Sequence, residues 1–181
     1  FIDYAKAPEK QLNYGSSGIG SMHHLSMEAL IQEFGLKMTH IPYKGSGQSV
    51  PALIGGEVDA LFASYSAISA FAKAGRVKLL ATNNPKRTAE APNIPAIAET
   101  VSGFNFASKM GLVAYKGTPT DRIEKMAAAV AQAMKAPAVV EKLAAGGVVA
   151  VGSTPDEYAK EIAEENARAA KVITAAKIKA E

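Results

Sequence analysis

Apolar and polar positions along this chain switch between two spacings. Short apolar runs are followed by turns rich in Gly and Ser, and the turns lead into stretches with helical spacing. Leu12–Tyr14 predicts a short strand. Gly20–Phe34 predicts a helix, because Met22, Leu25, Leu30 and Ile31 partly follow the 3.6-residue period and Gly35 supplies a stop. Lys37–Pro42 ("KMTHIP") reads as a strand and Ser46–Ile54 as a short helix broken by Gly55–Gly56. Val58–Ala63 ("VDALFA") reads as a strand buried on both faces. Tyr65–Ala74 is a helix ended by Gly75, Val77–Thr82 ("VKLLAT") a further strand, Pro95–Thr100 a short helix and Phe104–Ala114 an extended stretch.

The texture changes after Ala114. All three histidines and every aromatic residue except Tyr115 and Tyr158 precede it, and Ala-rich helical sequence follows. Two helix starts use one device, "GTPTD" at Gly117–Asp121 and "STPDE" at Ser153–Glu157. Each sets Thr as N-cap, Pro at the first helical position and an acid two residues on. Between them "GGVVAVG" predicts a short strand. The last helix, Pro155 to about Ala180, puts Tyr158, Ile162, Ala169, Val172 and Ala176 on one face.

Repeated strand–loop–helix units imply an α/β fold, a parallel or mixed sheet flanked by helices. In such folds ligands sit at the carboxyl ends of the strands, on the loops that open helices. "GSSGIGS", "YKGSG" and "ASYSA" are loops of this kind, each offering small residues and backbone N–H groups.

Composition narrows the function. The 181 residues are 48% hydrophobic and 20% charged, which suits a folded domain with a core. A net charge of +3 without any basic run argues against nucleic acid and mildly favours an anionic small molecule. The absence of cysteine removes disulfides, thiolate nucleophiles and thiolate metal sites. No apolar run approaches the ~18 residues that would span a membrane. The chain opens at Phe1 in mid-motif, so we expect a piece of a longer or processed protein.

The stretch "NYGSSGIGSMHHL" resembles a dinucleotide loop, but its spacing is G-x-x-G-x-G. The following strand ends "HIPYKG" with no acid for a ribose, and no Tyr-x-x-x-Lys pair exists. An NAD(P)-dependent oxidoreductase of short-chain type is therefore a disfavoured rival. The loop retains a simpler capacity: small residues allow close backbone approach, and the helix N-terminus presents unpaired N–H groups to a carboxylate or phosphate. Ser16, Ser17 and Ser21 add hydroxyls, and His24 leans from the first turn towards the loop.

Other chemistry is thin. His23 and His24 are neighbours on a helix and point about 100° apart, and His40 lies on a strand without a carboxylate cluster, so no metal site is expected. Gly45-Ser46-Gly47 is too tight for a nucleophile elbow. Asp59 reads as a paired structural acid. Lys109, inside the apolar "FNFASKMGLVAY", either snorkels to solvent or meets an anion. No nucleophile, base or cofactor site emerges, so no enzyme and no cofactor are expected.

In combination, "LNYGSSGIGSMHHLSMEAL", "HIPYKGSGQSVPALIGGEVDALF", "AGRVKLLATNNPKR", "AEAPNIPAIAE", "GLVAYKGTPTDRI" and "GSTPDEYAKEIAEE" resemble the substrate-binding receptors of tripartite tricarboxylate transporters, the Bug family. The resemblance implies a periplasmic, two-lobed type II binding protein. Such a protein captures a small carboxylate between its lobes without cofactor or catalysis and delivers it to a membrane permease. It further implies residues 1–108 as the ligand-binding second lobe, 109–116 as a strand crossing the hinge, and 117–181 as helical elements of the first lobe. An N-terminal portion of that first lobe would then be missing, which favours dimerisation or chain exchange. Two departures stand out. Where the family has an Asp-Asn-like pair after "VDALF", this chain has Ala63-Ser64, and where an aromatic precedes the returning "GL" it has Lys109-Met110. Losing an acid and gaining a lysine points to a more anionic ligand, a dicarboxylate.

The expected ligand-binding residues are therefore Ser16, Ser17, Gly18, Gly20, Ser21 and His24 for one carboxylate. Tyr43, Lys44, Gly45 and Ser46 form a second wall, and Ser64 and Tyr65 a third. A ligand-sensing or adaptor module is the remaining alternative.

Overall fold

The computed structural model describes residues 1–89 and 91–179. At its centre is a parallel sheet of order β2-β1-β3, with β1 Leu12–Ser16, β2 Met38–Pro42 and β3 Ala60–Leu61. The helices are α1 Ile2–Lys6, α2 Met22–Phe34, α3 Ser46–Gly55, α4 Tyr65–Lys73, α5 Thr120–Ala133, α6 Pro137–Ala145 and α7 Pro155–Ala176, with a 3-10 turn at Ile97–Glu99. The expected α/β class, a parallel sheet flanked by helices, is what is found.

β1 outruns its predicted end because Gly15 and Ser16 stay in the ladder, opposite Ile41 and Pro42. Having neighbours on both sides, β1 buries Leu12, Tyr14, Gly15 and Ser16. α2 starts where Ser21 caps it, the hydroxyl accepting from His24 N–H at 3.2 Å, and stops at Gly35 in the left-handed region (φ 63°). The inward face of α2 carries Leu25 and Leu30 into a core with Phe104, Phe106 and Val172 of α7. Ala5, Leu12 and Leu36 form a second cluster.

Several predicted strands are corrected. The Val58–Ala63 run contributes only Ala60–Leu61 to the sheet, and only Val58 is deeply buried. β3 has a neighbour on one side, and just before it Asp59 meets Asn13 twice, its N–H donating to Asn13 O (2.9 Å) and its carboxylate accepting from the Asn13 amide (2.8 Å). Val77–Thr82 reduces to one parallel bridge, Thr82 to Ala96, and Leu80 is about half exposed. "GGVVAVG", which opens on a turn at Gly146–Gly147, and residues 104–114 join no ladder among the described residues. Each has the apolar composition of a strand, which by itself names no neighbour to pair with.

The paired helix starts also differ. Thr154 caps α7 in a full capping box, donating to and accepting from Glu157. Thr118 instead donates to Tyr115 O at 2.8 Å, and α5 begins at Thr120 behind Pro119. α7 ends at Ala176, with Lys177 left-handed; the predicted end at Ala180 lies outside the described residues. Of its predicted face, Val172 is buried and Ala169 packs beside it, whereas Ile162 is exposed. No described helix is long and apolar enough to cross a membrane.

Candidate functional site

Because the three strands run parallel, the loops that follow them meet at one edge of the sheet, each opening a helix. The β1–α2 loop is held mostly by its own bonds. Ser16 is fully buried; its hydroxyl accepts from Gly18 N–H (3.1 Å) and lies 2.7 Å from His40 Nε2. Ser21 N–H donates to Gly18 O (3.2 Å), and Gly20 N–H donates to His24 Nδ1 (3.0 Å). His24 thus leans onto the loop as the sequence indicated. The φ values of Gly18 (133°) and Gly20 (73°) explain why glycine stands at both positions.

These bonds redistribute the expected roles. Ser16 stands inside the protein as a brace, and the amides of Gly18, Gly20 and Ser21 are engaged within the loop. An α-helix leaves its first amides without intrahelical acceptors. Ser21 serves that of His24, so among the described residues Met22 and His23 supply the first-turn donors that neither helix nor loop pairs. Ser17 lies part-exposed beside them.

The second loop joins the first through Tyr43 N–H, which donates to Ser16 O at 3.1 Å. The Tyr43 ring also lies against Gly15, where an added Cβ would sit 3.4 Å from it. Desolvation, and then the Glu57 carboxylate that the phenol reaches at 3.5 Å, push the Tyr43 pKa up. Lys44 is exposed and its amide donates to Gln48 Oε1 (3.1 Å). Gly45 (φ 127°) turns the chain into α3 at Ser46. In the third loop Ser64 caps α4 through its carbonyl, which accepts from Ala67 N–H at 3.0 Å. Tyr65 faces away to Gly147, leaving no room for a Cβ there. The first two loops therefore touch directly, while the third stands beside them on β3 with Tyr65 tied to the C-terminal part.

Beneath the first loop lies a cluster the sequence reading missed. His24 and His40 stack with ring centroids 3.8 Å apart, and Tyr14 stacks on His40 at 4.8 Å. The Tyr14 hydroxyl donates to Glu28, whose Oε1 lies 3.9 Å from His24 Nε2. One signal for this existed in the sequence, Glu28 one helical turn from His24, whereas the pairing of Tyr14 with His40 emerges only with the β1–β2 register. Burial lowers the pKa of both histidines. It takes that of His40 down to about 4, helped by His24, while Glu28 partly offsets the effect on His24. Burial and the Glu28 carboxylate raise the Tyr14 pKa. A cavity of about 410 Å³ opens onto Ile19, His24, Glu28 and His40, closed on its far side by residues 176–179. Among the described residues no group of three or more His, Cys, Asp or Glu is placed to hold a metal ion. Lys109 does meet anions, but they are its own chain's Glu161 (3.4 Å) and Glu165 (3.7 Å) on α7.

Comparison with known proteins places this geometry. Residues 1–178 match the family described as "Tripartite tricarboxylate transporter family receptor". A "UPF0065 protein in gbd 5'region" of Cupriavidus necator is 37% identical over 164 residues, covering 91% of this chain and 50% of that protein. "Protein BugT" of Bordetella pertussis is 33% identical, covering 98% of this chain and 56% of that protein. This chain thus spans about half the length of the curated relatives it matches. Among solved structures, "R. palustris Rpa4515 with adipate" superposes with TM-score 0.85 at 32% identity, over 98% of this chain and 60% of that one. The fold is shared at 24% identity by "MatC (Rpa3494) from Rhodopseudomonas palustris with bound malate" (TM-score 0.72, 96% of this chain and 60% of that one).

Proposed function

This chain belongs to the tripartite tricarboxylate transporter receptor family, and on that premise we propose that it is part of a periplasmic solute-binding receptor. The receptor captures a small carboxylate in an interlobe cleft and delivers it to a tripartite tricarboxylate-type permease, without catalysis. The observation that carries this reading is the meeting of helix-opening, Ser/Gly-rich loops at one edge of a parallel sheet. Helix N-termini in that setting recognise anions with backbone amides alone. The adipate and malate named for structural neighbours fit the same chemistry.

In this reading the first-turn amides of Met22 and His23, with Ser17 and Ser21, hold one carboxylate. Lys44 and Ser46 on the second loop and Ser64 on the third face the rest of the ligand. Ser16, Gly18, Gly20 and His24 act behind them, by holding the loop. A dicarboxylate is the proposed class: the exposed Lys44 is a cation beside the site, and no acid follows β3. Lys109 drops out of this argument because α7 neutralises it. Residues 1–108 form the lower jaw, the exposed apolar stretch at 110–115 belongs to the strand crossing the hinge, and that at 148–151 to the lobe above it. The second half of α7 packs with the lower jaw through Val172.

The test is calorimetry of the full-length protein with adipate, malate, their mono-amides and acetate. Dicarboxylates should bind most tightly. Ser17→Tyr and Ser21→Tyr should abolish binding while the circular dichroism spectrum stays unchanged. Unaltered affinity in both variants, or a preference for neutral or cationic ligands, would overturn the reading. Titration with NAD(P) separates the oxidoreductase rival, and a melting temperature that no carboxylate raises would favour an adaptor.

A further inference from the structure

We propose that His24 is a positioning residue of the glycine loop whose hold is released by protonation. When neutral it fixes Gly20 and sets the loop for an anion; when protonated it lets the loop go. The argument starts from one bond. Gly20 N–H donates to His24 Nδ1 at 3.0 Å, so Nδ1 must carry a lone pair and the ring proton sits on Nε2. A second proton can enter the ring only at Nδ1. It would set N–H against N–H across that distance, so protonation and the loop bond exclude each other.

The loop has little else to keep its shape. Gly18 and Gly20 both sit at positive φ, a conformation fixed by the Ser16–Gly18, Gly18–Ser21 and Gly20–His24 bonds. Two of these three depend on the histidine stack, since Ser16 rests on His40 Nε2 and His40 is stacked on His24 with rings 14° from parallel. A charge on either ring is felt by the other at 3.8 Å, and both bonds loosen together.

The groups that face His24 set the direction of its titration. Glu28 on α2 favours the charged ring from 3.9 Å, and Tyr14 on β1 holds Glu28 in place. His40 on β2 stacks against the ring, and Lys177 and Lys179 line the same cavity. His24 is only 5% exposed, and burial dominates, drawing its pKa below the ordinary value. The pair is thus neutral near pH 7 and charges on acidification. A folded-state pKa below the unfolded value means the neutral arrangement is complete above pH ~6.5 and lost as the pH falls through the lower, folded value. The cavity gives protons a route to the rings.

The consequence for ligand rests on the carboxylate reading above, but the prop itself does not. In the full-length protein labelled with 15N-glycine and 15N-histidine, the Gly20 amide should titrate between pH 8 and pH 4.5 with the same midpoint as the His24 ring. The Gly55 amide, in α3, should not follow it. His24→Asn puts an acceptor oxygen near the place of Nδ1 and cannot take up a proton there; it should keep the pH 8 position of Gly20 and flatten the titration. His24→Phe should displace Gly20 at every pH. A Gly20 titration that persists in His24→Asn, or whose midpoint differs from that of His24, overturns the proposal. With malate as probe, wild-type affinity should fall towards about tenfold per pH unit below the His24 midpoint, and His24→Asn should remove that His24-linked part. An equal fall in both proteins, or a gain on acidification in the wild type alone, also overturns it. Failure of malate and adipate to bind at pH 8 would count against carboxylate capture, while the amide titration would still decide the role of His24.

Discussion

Residues 12–106 and residues 109–152 are both rich in apolar sequence, the second more so, and meet opposite fates. The first region buries Leu25, Leu30, Phe104 and Phe106 in one cluster and centres its sheet on a strand with two neighbours. In the second, no described residue of α5 or α6 is buried, and Met110 (85%), Val113 (84%) and Tyr115 (89%) are almost fully exposed. An apolar pattern states a demand for burial. Whether the demand is met depends on a partner surface, and within the described residues only the first region supplies its own.

The largest predicted effect tests this contrast directly. Leu25→Ala and Phe104→Ala should each cost about 2–5 kcal/mol, the range for truncating large residues in a packed core. Leu112→Ala and Val113→Ala should stay within about 0.5 kcal/mol, as for surface positions. Urea unfolding of the four variants, with unchanged m-values, is the measurement. A loss at Leu112 or Val113 as large as that at Leu25 would mean that this segment is covered in solution, and the contrast would collapse.

The same contrast explains what could be read from the sequence. α2 was legible to within two residues because its signals are local: the Ser21 cap, Gly35 in the left-handed region and an inward face with helical spacing. β1 and β2 were legible because turns flank them. The strands expected at Val58–Ala63, Val77–Thr82 and "GGVVAVG" shared that composition, but ladder formation is decided by a neighbour, and composition names no neighbour. The three helix-opening loops were visible as Gly/Ser-rich turns after strands. What each loop amide does was not, because Gly20 is served by His24 from the next helix and Ser16 by His40 from the next strand. The histidine stack depends on the β1–β2 register, which sequence periodicity leaves open.

A smaller effect follows from that stack and sharpens the comparison from the ordered side. His40 is held neutral, its pKa lowered to about 4 from the ordinary 6.5. Between those values the unfolded chain binds the proton that the folded chain refuses, so stability rises with pH there. The contribution is complete above about pH 6.5 and lost as the pH falls through 4. Because the ring is only partly withdrawn from water, the loss should be smaller than that of the core truncations. Urea midpoints measured from pH 7 to pH 4 should decline, and His40→Gln should decline less. An identical slope in the variant would remove His40 from the account.

The smallest prediction uses the two threonines that look alike in sequence. Both precede Pro and stand three residues before an acid, Asp121 for Thr118 and Glu157 for Thr154. Only Thr154 completes a capping box, accepting from Glu157 N–H at 3.3 Å and donating to its carboxylate at 2.9 Å. The Thr154 backbone N–H, which donates to the Glu157 carboxylate at 2.8 Å, and then its hydroxyl hold that carboxyl below its usual pKa. Thr118 closes a turn onto Tyr115 in the exposed crossing segment and leaves α5 without a side-chain cap. Thr154→Ala should therefore cost about 1 kcal/mol, the typical value of an N-cap. Thr118→Ala should cost only a few tenths, within the range of surface changes. Equal losses would show that α5 takes up the same cap in solution, and that the second region is more ordered than its exposed apolar side chains indicate.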